Sequence, residues 1–551
     1  MEKGIFTFLI GGKAGEGVKK AGSVASQIFN NRGLRVFQMD DYMSLIRGGH
    51  NFSVVSTTNR WISSHYMKAD LIVNFDKRSC DIHKKHLSEG GLNVYNSDEI
   101  KGIGGIGVPL TSQAKKYPAG RLMFGVGAIA ILAASIGLEK EELNSMIKKE
   151  YGTGLEDNLS YANIIYELIF PKLGNRFSIK NDGKKRPIIT GNQAICLGAV
   201  AGGLDVYYGY PMTPASSILH YLASQAENFG LAVVHAESEI SVINMAIGSS
   251  FTGAKAMVGT SGGGFALMVE GLSLAGMAEA PVLCVLSMRP GPATGVPTYT
   301  EQADLFFALN AGHGEFLRIV ACPSTVEEAY YLTAEMLDLI WKFQTPGILL
   351  TEKHLSESWM TVDINVEKAV WAEPIMHTGG TYKRYLDTPD GISPMLFPPS
   401  KETIKWTSYE HDELGITTEE PELIAKMHEK RDKKNQAIVE YLRKRKTLNV
   451  YGDKGPVIIS YGSTTMSVLE ALNYGSIEAK VIQPIYLNPF PVWELENFKD
   501  ESIITVELSK EGQFTRLIKE KCGIKSKALI NQYDGRPFDP IDLSNKIKEV
   551  I

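Results

Sequence analysis

Four short apolar runs, Val206 to Tyr208, Leu231 to His235, Ala256 to Gly259 and Val282 to Leu286, each end in a loop rich in Gly, Pro, Ser, Thr or acidic residues. Each is shorter than a helix and too uniformly apolar for a strand wetted on one face, so the series predicts a parallel sheet with helices on both sides. Gly347 to Leu350 continues it. In such sheets ligands gather beyond the carboxyl ends of the strands, and the loops are where chemistry is sought.

The N-terminal region has the same form. Ile5 to Ile10 runs into Gly11-Gly12-Lys-Ala-Gly15-Glu-Gly17, then into a segment with Val18, Ala21, Val24, Ala25 and Ile28 on one side. Further strands at Arg35 to Gln38 and Leu71 to Asn74 predict a parallel α/β domain over residues 1–175. The opening run is too short for a signal sequence and is followed by Lys13, Glu16, Lys19 and Lys20, so it reads as a first strand. The glycines fit neither Gly-x-Gly-x-x-Gly nor a Walker loop; an anion at the helix N-terminus and close backbone packing explain them equally well. Arg47-Gly-Gly-His50-Asn51 puts an arginine and a histidine on a glycine-flexed loop, either a solvated turn or a ligand or subunit contact.

At 551 residues the chain predicts roughly three to four domains of about 150 residues. After a linker over Phe170 to Arg186, a second α/β domain spans 187–365. Residues 366–450 form a linker; eleven basic and ten acidic side chains in 401–450, with Leu423, Met427, Ile438, Tyr441 and Leu442 near helical spacing, predict an exposed helix. A small α/β domain, 451–551, opens with Val457 to Tyr461 and a Gly462-Ser-Thr-Thr turn able to cap a helix.

A hydrophobic share of 44% and a net charge of −5 describe a soluble globular protein with no electrostatic reason to bind nucleic acid or an anionic membrane. The longest uncharged run, Leu122 to Leu138, predicts a buried helix rather than a membrane span. Cys80, Cys196, Cys284, Cys322 and Cys522 lie far apart, which suits a reducing cytoplasm and argues against a disulfide framework or a self-contained zinc or iron-sulfur site. No metal ligands are predicted on this chain.

The strand-end loops hold the candidate site. Tyr210-Pro211-Met-Thr213-Pro-Ala-Ser-Ser217 places hydroxyls among prolines; a stiffened N-cap accounts for Ser216 and Ser217 but not for Thr213, whose hydroxyl suits a ligand. Glu237-Ser-Glu239 puts two carboxylates at a helix start. The helix dipole explains one of them, and a carboxylate in an apolar cleft is a candidate proton donor or acceptor. Thr260-Ser261-Gly262-Gly-Gly264 and Arg289-Pro-Gly-Pro-Ala-Thr-Gly-Val-Pro-Thr298 follow the next two strands. Between 251 and 300 the charged residues are Lys255, Glu270, Glu279 and Arg289, so Arg289 reads as a carboxylate or phosphate receptor or as the partner of Glu270 or Glu279.

These four motifs, in this order, resemble the alpha subunit of 2-oxoacid:ferredoxin oxidoreductases. The first 175 residues, through Gly15-Glu-Gly17-Val18 and Arg47-Gly-Gly-His50, resemble that family's gamma domain. The last domain, through Tyr461-Gly-Ser, Pro489-Phe-Pro491 and Glu507-x-x-x-x-Gly-Gln513, resembles its transketolase C-terminal module. The resemblance implies a gamma-alpha fusion of α/β class: a Rossmann-like gamma-type domain, a pyrimidine-binding domain for thiamine diphosphate and a transketolase C-terminal-like domain.

It further implies oxidative decarboxylation of a 2-oxoacid to acyl-coenzyme A, with electrons passed to ferredoxin. Glu239 would hydrogen-bond the aminopyrimidine ring, within a cofactor site including Tyr210, Pro211, Thr260, Ser261 and Gly262. Thr213 and Arg289 would meet the 2-oxoacid, coenzyme A or both, with Arg47, Gly15 and Gly17 toward coenzyme A. The sequence holds neither a Gly-Asp-Gly followed by Asn nor a cysteine cluster, so Mg2+, diphosphate and an iron-sulfur cluster are expected on a beta subunit, in an alpha-beta or (alpha-beta)2 assembly. Met212, Ala215 and Ala293 depart from the commoner Ile, Ser and Ser of the family pattern. A non-catalytic assembly or regulatory paralogue and a dinucleotide-dependent dehydrogenase stand as alternatives.

Overall fold

The computed structural model describes residues 4–44, 49–179, 183–371 and 373–551. Three sheets organise them.

The middle sheet runs Tyr486–Asn488, Ile319–Ala321, Gly347–Glu352, Val282–Met288, Ala256–Thr260, Val206–Gly209, Ala232–His235. All neighbours are parallel except the first pair, where the C-terminal region adds an antiparallel strand. Successive strand residues face opposite sides. Met257, Leu283, Val285 and Leu349 pack with the helices Gly191–Ala201, Ser216–Phe229 and Val326–Phe343, while Val258, Cys284, Leu286 and Ile348 pack with Glu239–Phe251 and Gly262–Met277. The apolar runs are therefore buried on both faces, apart from Ala232–His235, which forms the sheet edge and is exposed or half-buried along its length.

The N-terminal sheet is mixed rather than parallel. Phe6–Lys13 pairs in parallel with Ala69–Asn74 but antiparallel with His50–Thr58, which continues antiparallel to Arg35–Asp41. His50 and Asn51, expected on a loop, thus begin a strand; Arg47 lies outside the described residues. The sheet also crosses the expected domain boundary, because Trp359–Thr361 and Ile188–Thr190 extend its edge. Helix Leu155–Leu173 runs four residues into the segment read as a linker, past Pro171. Phe124–Ser135 is buried along its whole length, and no helix of the described residues is long and apolar enough to cross a membrane.

The helix Pro421–Arg443 is not simply exposed. Lys430 Nζ donates to both carboxylate oxygens of Glu279 at 2.8 and 2.9 Å, and Lys434 Nζ reaches the same carboxylate; all three side chains are buried. A charge-rich helix docks here because its inward cations meet an anion 151 positions earlier. Glu279 is thereby taken, and is not the partner of Arg289.

The third sheet, Leu448–Tyr451, Lys480–Pro484, Val457–Ser460, Ile503–Glu507, Ala528–Asn531, is parallel apart from its first strand. Gly462 precedes helix Ser463–Gly475, but no hydroxyl of the turn caps it. Glu352, from the end of a middle-sheet strand, accepts from Ser463 N at 3.0 Å instead, so a carboxyl group from the neighbouring domain occupies the helix N-terminus.

Candidate active site

Val282–Met288, Ala256–Thr260, Val206–Gly209 and Ala232–His235 are neighbours in the sheet, so the four loops at their carboxyl ends converge. Glu239 opens the helix after the last of these strands, behind Ser238, whose side chain accepts from Ser241 N as the N-cap. Glu239 is 3% exposed, whereas Glu237 is exposed and bonds Ser241 Oγ.

Glu239 Oε1 is buried without a hydrogen-bond partner. Gly264 makes room for it: a Cβ there would stand 2.3 Å from Oε1 and 2.1 Å from Thr260 Oγ1. Ser261 Oγ is likewise buried and unpaired, for although Ser261 is the N-cap residue of Gly262–Met277 its side chain caps nothing. Unpaired buried polar atoms are costly, and two within one strand-end loop cluster define a place prepared for a polar ligand. A carboxylate oxygen and a hydroxyl can accept from and donate to a ligand, which is what the aminopyrimidine ring implied by the resemblance would need.

The Tyr210 loop is anchored from behind. Asn192 Nδ2 donates to Pro214 O at 2.8 Å and to Ser217 Oγ at 2.7 Å; helix Ser216–Phe229 has no side-chain cap, so Ser216 and Ser217 do not serve as one. The Thr213-Pro214 peptide is cis. Tyr210 and Pro211 stay exposed, with the Tyr210 ring 6.2 Å from that of His235.

Arg289, largely buried, donates from Nη1 to Thr213 O at 2.7 Å. Burial lowers its pKa and Asp304 opposes that. Asp304 was not singled out by the sequence reading. Its side chain packs at Gly262, where a Cβ would lie 2.5 Å from Oδ2, and burial raises its carboxyl to about 6 against the pull of Arg289. A signal existed: Glu301 and Asp304 immediately follow the charge-poor window.

The three domains meet beside this loop. Asp41 of the N-terminal sheet lies 3.6 Å from Arg536 of the C-terminal domain, and the Arg536 guanidinium sits 3.8 Å from the ring centre of Tyr299. Met212 Sδ and Ala293 O are each 3.9 Å from where a Cβ on Gly263 would be, so two of the residues that depart from the family pattern converge on one spot.

The glycine loop of the N-terminal domain is not arranged around an anion. Glu16, buried, accepts from Lys13 N at 2.8 Å and from Arg121 Nε at 2.7 Å, filling the loop with a carboxylate of its own. Gly17 at φ +79° packs on Gly125 and Gly15 at φ +92° borders open space, so packing accounts for Gly17. His50 is a core residue: its Nε2 is 3.0 Å from His83 Nε2, with burial lowering both rings, His83 to about 3.

Comparison with known proteins agrees in order and extent. Residues 7–168 match a family model described as pyruvate ferredoxin/flavodoxin oxidoreductase, and 197–430 match pyruvate flavodoxin/ferredoxin oxidoreductase, thiamine diphosphate-binding. The alpha subunit of 2-oxoacid:ferredoxin oxidoreductase from Saccharolobus solfataricus is 30% identical over 99% of this chain and 98% of its own. The chain belongs to the 2-oxoacid:ferredoxin oxidoreductase family. The ketoisovalerate oxidoreductase subunit VorB of Methanothermobacter marburgensis, 31% identical, covers 66% of this chain and 97% of its own. Among solved structures, the 2-oxoglutarate:ferredoxin oxidoreductase of Magnetococcus marinus, with 2-oxoglutarate, coenzyme A and succinyl-CoA bound, superimposes over the whole of both chains with a TM-score of 0.91 at 29% identity. As a 2-oxoacid:ferredoxin oxidoreductase chain of the alpha type, it is a subunit of an enzyme, and the second family model runs on to residue 430, inside the segment expected to be a linker.

Proposed function

We propose that this chain supplies the pyrimidine-side half of a thiamine diphosphate site in an enzyme converting a 2-oxoacid and coenzyme A to acyl-coenzyme A and carbon dioxide, with ferredoxin taking the electrons. The buried, unpaired Oε1 of Glu239 carries this reading. Thiamine diphosphate, when bound, supplies the carbon nucleophile and the electron sink for decarboxylation.

Glu239 would share a proton at Oε1 with a ring nitrogen; with water excluded, a charge-assisted hydrogen bond there is strong and shifts the ring's tautomer. Thr260, Ser261 and Gly262 would help hold that ring, with Tyr210 and Pro211, which are exposed, toward its entry. Arg289, with one N–H committed to Thr213 O, keeps the rest of its fork for the carboxylate of the 2-oxoacid, and Thr213 is held against it. For coenzyme A we retain Gly15, Gly17 and Arg47 of the gamma-type domain as the residues the resemblance implies, Arg47 lying outside the described residues. We assign Mg2+, the diphosphate contacts and the iron-sulfur cluster to a beta subunit, which ferredoxin would meet, in a cytoplasmic alpha-beta or (alpha-beta)2 assembly.

Co-expression with a beta-type subunit tests this. Viologen reduction should require both chains, coenzyme A and one of pyruvate, 2-oxoglutarate or a branched-chain 2-oxoacid. Activity of this chain alone, or an assembled complex inert toward all three classes, would overturn the reading.

A further inference from the structure

Two consecutive carbonyls of the Thr213 loop are held by side chains from different elements. Arg289 Nη1, from the loop after Val282–Met288, donates to Thr213 O at 2.7 Å, and Asn192 Nδ2, from the first turn of helix Gly191–Ala201, donates to Pro214 O at 2.8 Å. The same Nδ2 donates to Ser217 Oγ at 2.7 Å, so one amide spans the loop and the start of the helix that follows it. Asn192 is 1% exposed, and its Oδ1 accepts nothing among the described residues. A buried amide with an unpaired oxygen is costly, and its contribution is the two N–H bonds to this one loop.

Asn192 itself stands on a fixed base. Thr190 and Gln193 close a reciprocal cap at the helix start, Thr190 Oγ1 accepting from Gln193 N at 3.1 Å and Gln193 Oε1 from Thr190 N at 3.0 Å. Gly191 lets the helix lie against the backbone that follows Glu352: a Cβ there would fall 2.2 Å from Leu355 O. The strand that carries Arg289 is tied to the same segment, with Ser287 Oγ and Ser356 Oγ 2.7 Å apart. Asn192 and Arg289 are thus both referred to Leu355-Ser356 and meet again at Thr213-Pro214.

We infer that Asn192 is a positioning residue: it fixes the Thr213-Pro214 backbone from which Arg289 takes its orientation, and so aims the guanidinium at the carboxylate of the 2-oxoacid. The inference rests on Arg289 being the 2-oxoacid receptor proposed above. An arginine side chain is rich in rotamers, and a hydrogen bond from Nη1 to a carbonyl restricts it only as far as the carbonyl itself is held. Without the Asn192 amide, Pro214 O loses its buried donor, the loop relaxes, and the adjoining Thr213 carbonyl moves with it. Binding of the substrate carboxylate then weakens, while the proton shared between Glu239 and the cofactor is untouched, so KM rises and kcat is kept.

In the assembled alpha-beta enzyme, Asn192→Ala should raise KM for the most active of the three 2-oxoacids about tenfold or more, with kcat kept within about threefold. Asn192→Leu, close to asparagine in shape but without its N–H groups, should do the same; it excludes an emptied cavity as the cause and carries the test where the alanine variant does not assemble. Arg289→Gln and the double variant Asn192→Ala with Arg289→Gln complete a cycle. Once Arg289 is gone, adding Asn192→Ala should move KM by less than about twofold further. A wild-type KM in the Asn192 variants overturns the inference. So does a rise by the same factor in both backgrounds, which would mean that Asn192 acts independently of Arg289. Arg289→Gln by itself separates the two readings: a normal KM there removes the receptor and this inference with it, whereas a raised KM there beside a normal KM in the Asn192 variants removes the role of Asn192 alone.

Discussion

A Cβ on residue 264 and the Oε1 atom of Glu239 cannot coexist: the built distance is 2.3 Å, with Thr260 Oγ1 at 2.1 Å on the same side. Gly264 sits in the first turn of its helix, where alanine would be the better helix former by about 1 kcal/mol. The glycine therefore serves the site and not the helix. Gly264→Ala should leave the melting temperature close to that of the wild type while lowering kcat/KM by about a hundredfold, the scale of an ångström displacement of a catalytic group. Calorimetric melting beside the viologen assay checks both parts.

Glu352 is buried at the junction with the C-terminal domain, and burial pushes its carboxyl up to about 7. A carboxyl raised by folding contributes stability that is complete below its unfolded value near 4.5 and is lost as pH rises through 7. Glu352→Gln keeps an acceptor for Ser463 N without the charge. Its unfolding free energy, from denaturant titration, should lie close to that of the wild type at pH 5 and exceed it at pH 8, by on the order of 3 kcal/mol at most.

Glu279 answers two buried lysines, Lys430 and Lys434, whose ammonium groups burial pulls down, Lys434 to about 7. Glu279→Gln leaves both cations inside without an anion. Denaturant unfolding should show a loss of about 3–5 kcal/mol. Adding Lys430→Met and Lys434→Met to that variant should recover most of it.

Met212 and Ala293 O face the same space beside Gly263, next to the Thr213 carbonyl that holds Arg289. Met212→Ile replaces a long flexible thioether by a branched side chain and should shift the ratio of kcat/KM values among pyruvate, 2-oxoglutarate and 2-oxoisovalerate by about tenfold, the usual worth of one or two methylenes in a pocket. Parallel assays of the three substrates measure it.

Much of the middle domain is legible because its central strands are buried on both faces, and the apolar runs mark them; Ala232–His235, at the sheet edge, reads the same way although it is exposed or half-buried. The N-terminal sheet was misread where periodicity is silent. His50–Thr58 begins beside two glycines, and its antiparallel pairing depends on partners rather than on its own pattern. The docking of Pro421–Arg443 was hidden for an electrostatic reason: charge-rich helices are normally solvated, and the anion that draws this one inward lies 151 positions away. Asp304 escaped notice because its surroundings come from elsewhere in the chain: its side chain packs at Gly262, and Gln513, 210 positions from Ala303, grips the adjoining carbonyl. By contrast Glu239 and Glu237 could be told apart by family pattern, and the structure buries the first and exposes the second.

The most direct measurement is exchange of the thiazolium C2 hydrogen of bound thiamine diphosphate for deuterium, quenched in acid and read by NMR, in the assembled enzyme carrying Glu239→Gln. The variant should assemble with its beta subunit and retain the cofactor, while C2 exchange and 2-oxoacid-dependent viologen reduction both fall at least about a hundredfold. Exchange at the wild-type rate with turnover intact would contradict the role given to Glu239.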